Sequence, residues 1–341
     1  MARRWIATAA TALMLLGLYA PNARANEPAT PPSTPPAAVS QPVVNEGPWV
    51  DMGPDHWAYS AAVKLKEAGV IALDPSGRFR PTDPVTRAEL FKMILAARRI
   101  DAGGACTGIF ADVPCTAWFA PTAETAYRLA IAEGRGEGQF DPQGKVTRQE
   151  LFVALVRGLG RRWDASSLGW SEINRRIDAL SDGGEVASWA QPAVAWALGQ
   201  GLATPADNLF RPKAVTTRAE AAVAINRILL PADKATMVTV DGRKVFFAEA
   251  RPDMVASMYA QGEPGVGGMT YTGISVRVGS IAVDPKVIPL GRLLFVEGYG
   301  YGVAADIGSA IKGNRVDLYT TDLHEAALQF GLQPRRVWVL P

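Results

Sequence analysis

The stretch "FRPTDPVTRAEL", Phe79–Leu90, returns as "FDPQGKVTRQEL" from Phe140 and as "FRPKAVTTRAEA" from Phe210. In every copy the Phe precedes the Thr of a Thr-Arg-x-Glu run by seven residues. Working outward, each copy follows an aromatic start at Trp57, Trp118 or Trp189 and a segment with helical apolar spacing. Self-similarity of this kind marks a repeat architecture, in which each unit buries its apolar face against its neighbours. In the first copy Ala61, Leu65 and Ala68 share one helix face, and Gly69 suits the left-handed position that ends a helix. Thr86 and Glu89 form a capping box at the start of a second helix, as do Thr147 with Glu150 and Thr217 with Glu220. These signals place the repeats at 48–100, 106–162 and 177–231.

The capping box accounts for the Thr and the Glu but leaves the Arg unexplained. Arg87, Arg148 and Arg218 stand at the first helical position, where a cation opposes the positive end of the helix dipole. Two readings follow. An anionic ligand could bind the free helix amides together with the guanidinium, or the Arg could be solvated with its stem over apolar surface. For Trp57, Trp118 and Trp189, which open the copies, the sequence alone suggests a core role.

Outside the repeats the two ends of the chain differ. The N-terminus, "MARRWIATAATALMLLGLYAPNARANEP", has Arg3 and Arg4 before an apolar run and small residues ahead of a cleavage point after Ala25. It reads as a secretory signal peptide at 1–25, so the protein is expected outside the cytoplasmic membrane, with no membrane span after cleavage. Residues 26–47 are Pro-rich and read as an extended linker. A net charge of +2 over 341 residues gives no bulk attraction for nucleic acid. Cys106 and Cys115 are expected to pair in an oxidising compartment. His56 and His324 are the only histidines in the chain, which removes Ser-His-Asp and Cys-His catalysis. A metal site finds too few ligands, and no cofactor is expected. Carboxylates remain.

From about residue 236 to 341 the texture changes to short β-type runs, "MVTV", "KVFFAEA", "GISVRV", "SIAV", "LLFVEGYGYGVAAD", "RVDLY" and "RVWVL", with a short helix ending at Gly331. Three acids stand out in this small β domain. Asp284 precedes Pro285 and Asp306 precedes Ile307-Gly308, both turn-like settings. Asp317 lies between Val316 and Leu318, so strand alternation points it away from the face those two share. The residues leave three uses open: general acid catalysis of glycosidic cleavage, an aspartic dyad for peptide hydrolysis, or no chemistry at all.

The three copies resemble S-layer homology (SLH) repeats. That resemblance implies an all-α, pseudo-threefold three-repeat helical bundle that binds secondary cell-wall polymer, commonly pyruvylated, at the cell surface. Its grooves would be lined by Trp57, Arg87, Trp118, Arg148, Trp189 and Arg218. The sequence departs from the pattern at Asp141, where the other copies have Arg80 and Arg211, and at "TPADN" in the third copy. The stretch from "SIAVDPKVIPLG" through "VAADIGSAIKGNRVDLY" to "RVWVL" is similar to the 3D domain of membrane-bound lytic transglycosylase A and of stationary-phase survival proteins. This resemblance implies a double-psi β-barrel that cleaves the β-1,4 bond between N-acetylmuramic acid and N-acetylglucosamine in peptidoglycan. Asp317 would be the acid and base, Asp306 its electrostatic neighbour, and Asp284 a loop-positioning residue. Lys312, Asn314 and Arg315 would contact glycan or stem-peptide carboxylates. The family's Thr-Ala-Tyr segment has "FFAEARPD", with Glu249, as its expected counterpart. The alternatives are a non-catalytic wall-binding protein and a secreted aspartic-type peptidase.

Overall fold

The computed structural model describes residues 47–341 apart from Leu73, Ala105, Pro264, Gly265 and Leu323. The leader expected at 1–25 and all but the last residue of the linker lie outside the described residues. The helical elements are α1 (Tyr59–Glu67), α2 (Arg87–Ala97), α3 (Ala120–Arg128), α4 (Arg148–Gly158), α5 (Arg162–Ser166), α6 (Trp170–Asp178), α7 (Gln191–Gly199) and α8 (Arg218–Asn226). Helices α1 and α2, α3 and α4, and α7 and α8 form the three repeats. The short α5 and α6, unannounced by the repeat pattern, fill the interval between the second and third.

The capping boxes form at α2, α4 and α8. The amides ahead of them are occupied as well. Arg87 and Ala88 donate to the carbonyls of Gly144 and Pro142, Arg148 and Gln149 to Ala214 and Pro212, and Arg218 and Ala219 to Asp83 and Pro81. Each repeat thus satisfies the helix N-terminus of another, and the third closes the ring onto the first. Isolated bridges Thr86↔Lys145, Thr147↔Val215 and Pro84↔Thr217 follow the same cycle, so this half combines helix pairs with extended loop contacts.

A second regularity escaped the sequence reading. Asp51 accepts the amides of Phe79 and Arg80, Asp112 those of Phe140 and Asp141, and Asp182 those of Phe210 and Arg211. Each Asp precedes its Phe by 28 residues. The clamp holds Arg80, Asp141 and Arg211 in the left-handed region, at φ 58°, 59° and 58°. Asp tolerates that region better than most residues, which explains how the second copy departs from the others without changing its turn.

After a hairpin of β1 (Thr236–Val240) and β2 (Arg243–Phe247) comes a closed six-stranded barrel. Its strands are β3 (Glu249–Ala260), β4 (Ser280–Val283), β5 (Leu293–Val296), β6 (Gly300–Asp306), β7 (Arg315–Thr320) and β8 (Gln333–Val339), in spatial order β3-β7-β4-β6-β5-β8. Pairs β3–β7 and β4–β6 are parallel and the other four antiparallel. Helix α9 (His324–Phe330) precedes β8. Alternate residues Met254, Ala256, Ile281, Val283, Leu294, Val296, Val316, Leu318, Val337 and Val339 fill the interior.

Two expectations need correction. "GISVRV" forms no strand; Gly273 and Gly279 have positive φ, and Arg277 turns away to a salt bridge. Conversely, "EARPDMVASMYA" is one twelve-residue strand. Its register shifts between Arg251 and Met254, so Pro252 falls in an irregularity where its missing amide breaks no ladder bond.

The barrel's outward residues divide between two neighbours. Phe295, Tyr301, Val303, Trp338 and Leu340 join the apolar core of the helical repeats, and the described residues fall within one compact unit. Polar contacts lock the junction. Arg98 donates to the carbonyls of Ile228 and Pro341, the amide of Asp101 donates to the Tyr301 hydroxyl, and Arg277, nearly fully buried, pairs with Glu133 at 2.7 Å. Glu133 also pairs with Arg162 at 2.6 Å. Burial alone would raise the Glu133 carboxyl, but Arg277, Arg157 and Arg162 together hold it below its ordinary value.

Replacing Glu133 by Gln leaves the Arg277 guanidinium buried without its counter-charge and should lower stability by about 2 kcal/mol at neutral pH. Because the folded carboxyl titrates below the unfolded one, the wild type holds this advantage at neutral pH and loses it as pH falls through the depressed value. Urea melts of wild type and Glu133→Gln should therefore differ at pH 7 and converge on acidification; a constant difference would contradict the ion-pair account.

Candidate functional site

The acids occupy the part of the barrel's outer face that the repeats leave uncovered. On β7, Val316 and Leu318 point inward and are fully buried, which turns Asp317 outward. Its partner in register on β3 is Ser257, and the Ser257 hydroxyl donates to Asp317 Oδ1 at 2.7 Å. On the other side, Asp317 faces Ala282 of β4. Beyond β4, Asp306 on β6 faces the same Ala282, because the register shifts between the pairs Ile281↔Ala304 and Ala282↔Asp306. Strict alternation from Ala304, an interior residue, would also turn Asp306 inward. The extra residue, Ala305, rotates it out. Asp306 and Asp317 therefore flank one small residue from two strands, with backbones roughly 10 Å apart at two strand spacings.

Their environments differ. Burial pushes the Asp317 carboxyl above its ordinary range; the Ser257 hydrogen bond opposes this, Glu263 adds to it, Arg315 opposes it, and Asp306 adds to it. Asp306 Oδ1 accepts the amides of Tyr271 and Ile307, at 3.0 and 2.9 Å, and so anchors the β3–β4 loop. Asp284 is a loop brace. Its two oxygens accept the amides of Lys286 and Gly313, at 3.0 and 2.8 Å, and these bonds, Gly313 first, hold its carboxyl below the usual range.

Of the expected contact residues, Lys312 and Asn314 are exposed on the loop before β7. Arg315 folds back onto the Ala310 carbonyl at 3.2 Å. "FFAEARPD" is not the segment beside the acids: Glu249 pairs with Arg251 at the far end of β3, and Ser257-Met258-Tyr259 runs alongside Asp317 instead. Sequence reasoning missed Ser257 because Pro252 hid the strand that carries it. The aspartic-dyad expectation also fails. A strand separates the two carboxyls, each is bonded to other groups, and a shared-proton dyad needs them in contact.

Among the repeats, Trp57, Trp118 and Trp189 are 62%, 56% and 54% exposed, so they are surface residues and the core reading is overturned. Each arginine meets the Phe of another repeat. Arg87 donates to the Phe140 carbonyl at 2.9 Å and Arg218 to that of Phe79 at 2.8 Å, while the Arg148 guanidinium lies 5.5 Å from the Phe210 ring. The expected anion site on free helix amides does not form, since carbonyls of the neighbouring repeat already occupy them.

Two grooves nevertheless draw on all three repeats. One, of about 380 Å³, is lined by Arg148, Phe210, Arg211 and Trp57. The other, of about 230 Å³, is lined by Arg87, Glu133, Arg135 and Trp189. In the second, Arg135 pairs with Asp141 and Glu150, at 3.5 and 2.5 Å, and brings a cation to the repeat that lacks the Arg of "FRP". Cys106 and Cys115 are disulfide-bonded, with Cα atoms 5.4 Å apart. Among the described residues no cluster of His, Cys, Asp and Glu could hold a metal ion.

The S-layer homology domain family matches residues 50–91, 109–152 and 179–222, and the 3D domain family matches 279–341. The chain carries three S-layer homology domains followed by a C-terminal 3D domain. It is 31% identical over 176 residues to exoglucanase XynX of Acetivibrio thermocellus, a match that covers 51% of this chain and 16% of that protein. It is 42% identical over 91 residues to the cell wall-binding protein YocH of Bacillus subtilis (strain 168), covering 26% and 31%. The chain thus spans less than a third of the length of either relative. The lytic transglycosylase LtgG of Burkholderia pseudomallei aligns over 50% of this chain and 43% of its own, with 19% identity and a TM-score of 0.18, a global likeness too loose to carry any inference.

Ser257→Ala removes the hydrogen bond that favours the Asp317 carboxylate. The Asp317 midpoint, followed by carboxyl-carbon NMR, should move upward from its already raised wild-type value. An unchanged or lower midpoint would show that Ser257 does not tune it.

Proposed function

We propose that the protein is exported, held at the cell wall by its S-layer homology repeats, and cuts peptidoglycan glycan strands with a double-psi barrel as a lytic transglycosylase. The observation that carries this reading is Asp317. It is a half-buried carboxyl held above its ordinary range, braced by Ser257 and separated by one alanine from a second acid. A carboxyl whose protonated form burial favours is suited to deliver its proton to the leaving oxygen of the bond between N-acetylmuramic acid and N-acetylglucosamine. As that bond breaks, positive charge develops at the muramyl anomeric carbon, and Asp306 lies close enough to stabilise it by field alone. Asp317, now a carboxylate, takes the proton of the muramyl 6-hydroxyl while its oxygen closes onto the anomeric carbon. The product is a 1,6-anhydro ring, and Asp317 returns protonated. The cycle balances without an attacking water.

The repeats supply the anchor. Grooves that combine an exposed Trp with arginines suit a saccharide bearing anionic groups, such as a pyruvylated secondary wall polymer. Anchoring raises the local concentration of the barrel on its substrate. Similarity to a cell wall-binding protein supports the location and equally fits the rival reading, in which the barrel grips the wall without cutting it.

Incubation of the full chain with purified peptidoglycan should release 1,6-anhydromuropeptides detectable by mass spectrometry, and Asp317→Asn should reduce release by at least about a hundredfold. Binding without soluble product would establish the non-catalytic rival. For the anchor, Trp57→Ala together with Trp189→Ala should lower co-sedimentation with sacculi that retain their secondary polymer to the level seen with sacculi stripped of it, and leave thermal stability unchanged, because both rings are exposed. Undiminished co-sedimentation would remove the grooves from the account.

A further inference from the structure

Trp163 belongs to α5, between the second and third repeats, yet it packs on the barrel. A Cβ added at Gly291 would stand 2.8 Å from the Trp163 Cβ, and Trp163 lies against the barrel's interior cluster. Its ring centroid is 5.7 Å from that of Tyr271, with the planes tilted by 43°. Tyr271 is itself 56% exposed. The amides of Tyr271 and Ile307 both end on Asp306 Oδ1, so the two residues border that carboxylate together, and Ile307 is also exposed. The result is an apolar, partly aromatic rim on the Asp306 side of the acid pair. Flanking Trp163 in sequence, Arg161 and Asp164 pair with each other at 2.8 Å.

A half-exposed aromatic held at its backbone by a carboxylate contributes little to folding, and its rigidity keeps the entropy lost on binding small. Pyranose rings present C–H faces that match such surfaces. We propose that Trp163 and Tyr271 form a stacking subsite for a neutral pyranose ring of the glycan strand, assembled only where the helical half meets the barrel. Its ligand class rests on the glycan-cutting reading. The consequence is that the S-layer homology half serves as an anchor and also builds one wall of the cleft, so glycan affinity depends on a residue outside the barrel.

The test uses the full chain carrying Asp317→Asn as a non-cleaving background. It is titrated by calorimetry with soluble glycan strands freed of stem peptides and secondary polymer. Adding Trp163→Ala or Tyr271→Ala should weaken binding about tenfold, and Trp163→Phe should restore most of it. In the active chain, Trp163→Ala should raise KM about tenfold with kcat held within about twofold. Tyr271→Ala, on an exposed loop residue, keeps the test decisive if the Trp163 variant folds poorly. Equal affinities, or no binding of strands by the background, would overturn the subsite. Trp163-dependent binding in a wild type that releases no product would uphold the subsite and refute the cutting mechanism.

Discussion

The outer face of the barrel has to serve two neighbours, and the rest of the structure follows from how its residues are divided. Every second strand residue faces inward to a closed apolar interior, which leaves the other set for the surroundings. On β5, β6 and β8 that set includes Phe295, Tyr301, Val303 and Trp338, each part of one apolar core with the repeats and the β1–β2 hairpin; burying a side chain of this size contributes roughly 1.5–3 kcal/mol. On β3, β7 and β4 it is Ser257, Asp317 and Ala282. The first set fixes the barrel on the helical half, and the second stays available for chemistry.

Strand β6 belongs to both sets, and its irregularity reconciles them. Tyr301 and Val303 pack on the repeats, so continued alternation would send Asp306 into the apolar interior, where an unpaired carboxylate is strongly disfavoured. The shift at Ala305 turns Asp306 to the outer face beside Ala282 and within reach of the Tyr271 and Ile307 amides. The geometry that separates the acids by one strand also gives them different partners. Asp317 is half-buried against Ser257, while Asp306 holds two amides.

Much of this was legible in the sequence. The capping boxes and the triple register placed α2, α4 and α8, and alternation around Asp317 placed it opposite Val316 and Leu318. What could not be read depends on contacts between distant segments. The helix-terminal arginines resembled an anion site because the carbonyls that occupy their amides come from another repeat. The exposure of Trp57, Trp118 and Trp189 depends on how the repeats close into a ring. The strand through Ser257 was concealed by Pro252, and the outward turn of Asp306 by an irregularity with no residue signature. The Asp clamps at Asp51, Asp112 and Asp182 were readable, since their 28-residue spacing is as constant as that of the Thr-Arg-x-Glu runs.

The central claim is that Asp317 closes the muramyl 6-hydroxyl onto the anomeric carbon so that no water enters the product. Digestion of purified peptidoglycan by the full chain in oxygen-18 water tests this directly. The account predicts released muropeptides with no heavy oxygen at the new end, each lighter by one water than a hydrolytic product. One heavy oxygen at the muramyl anomeric position of every product would contradict it.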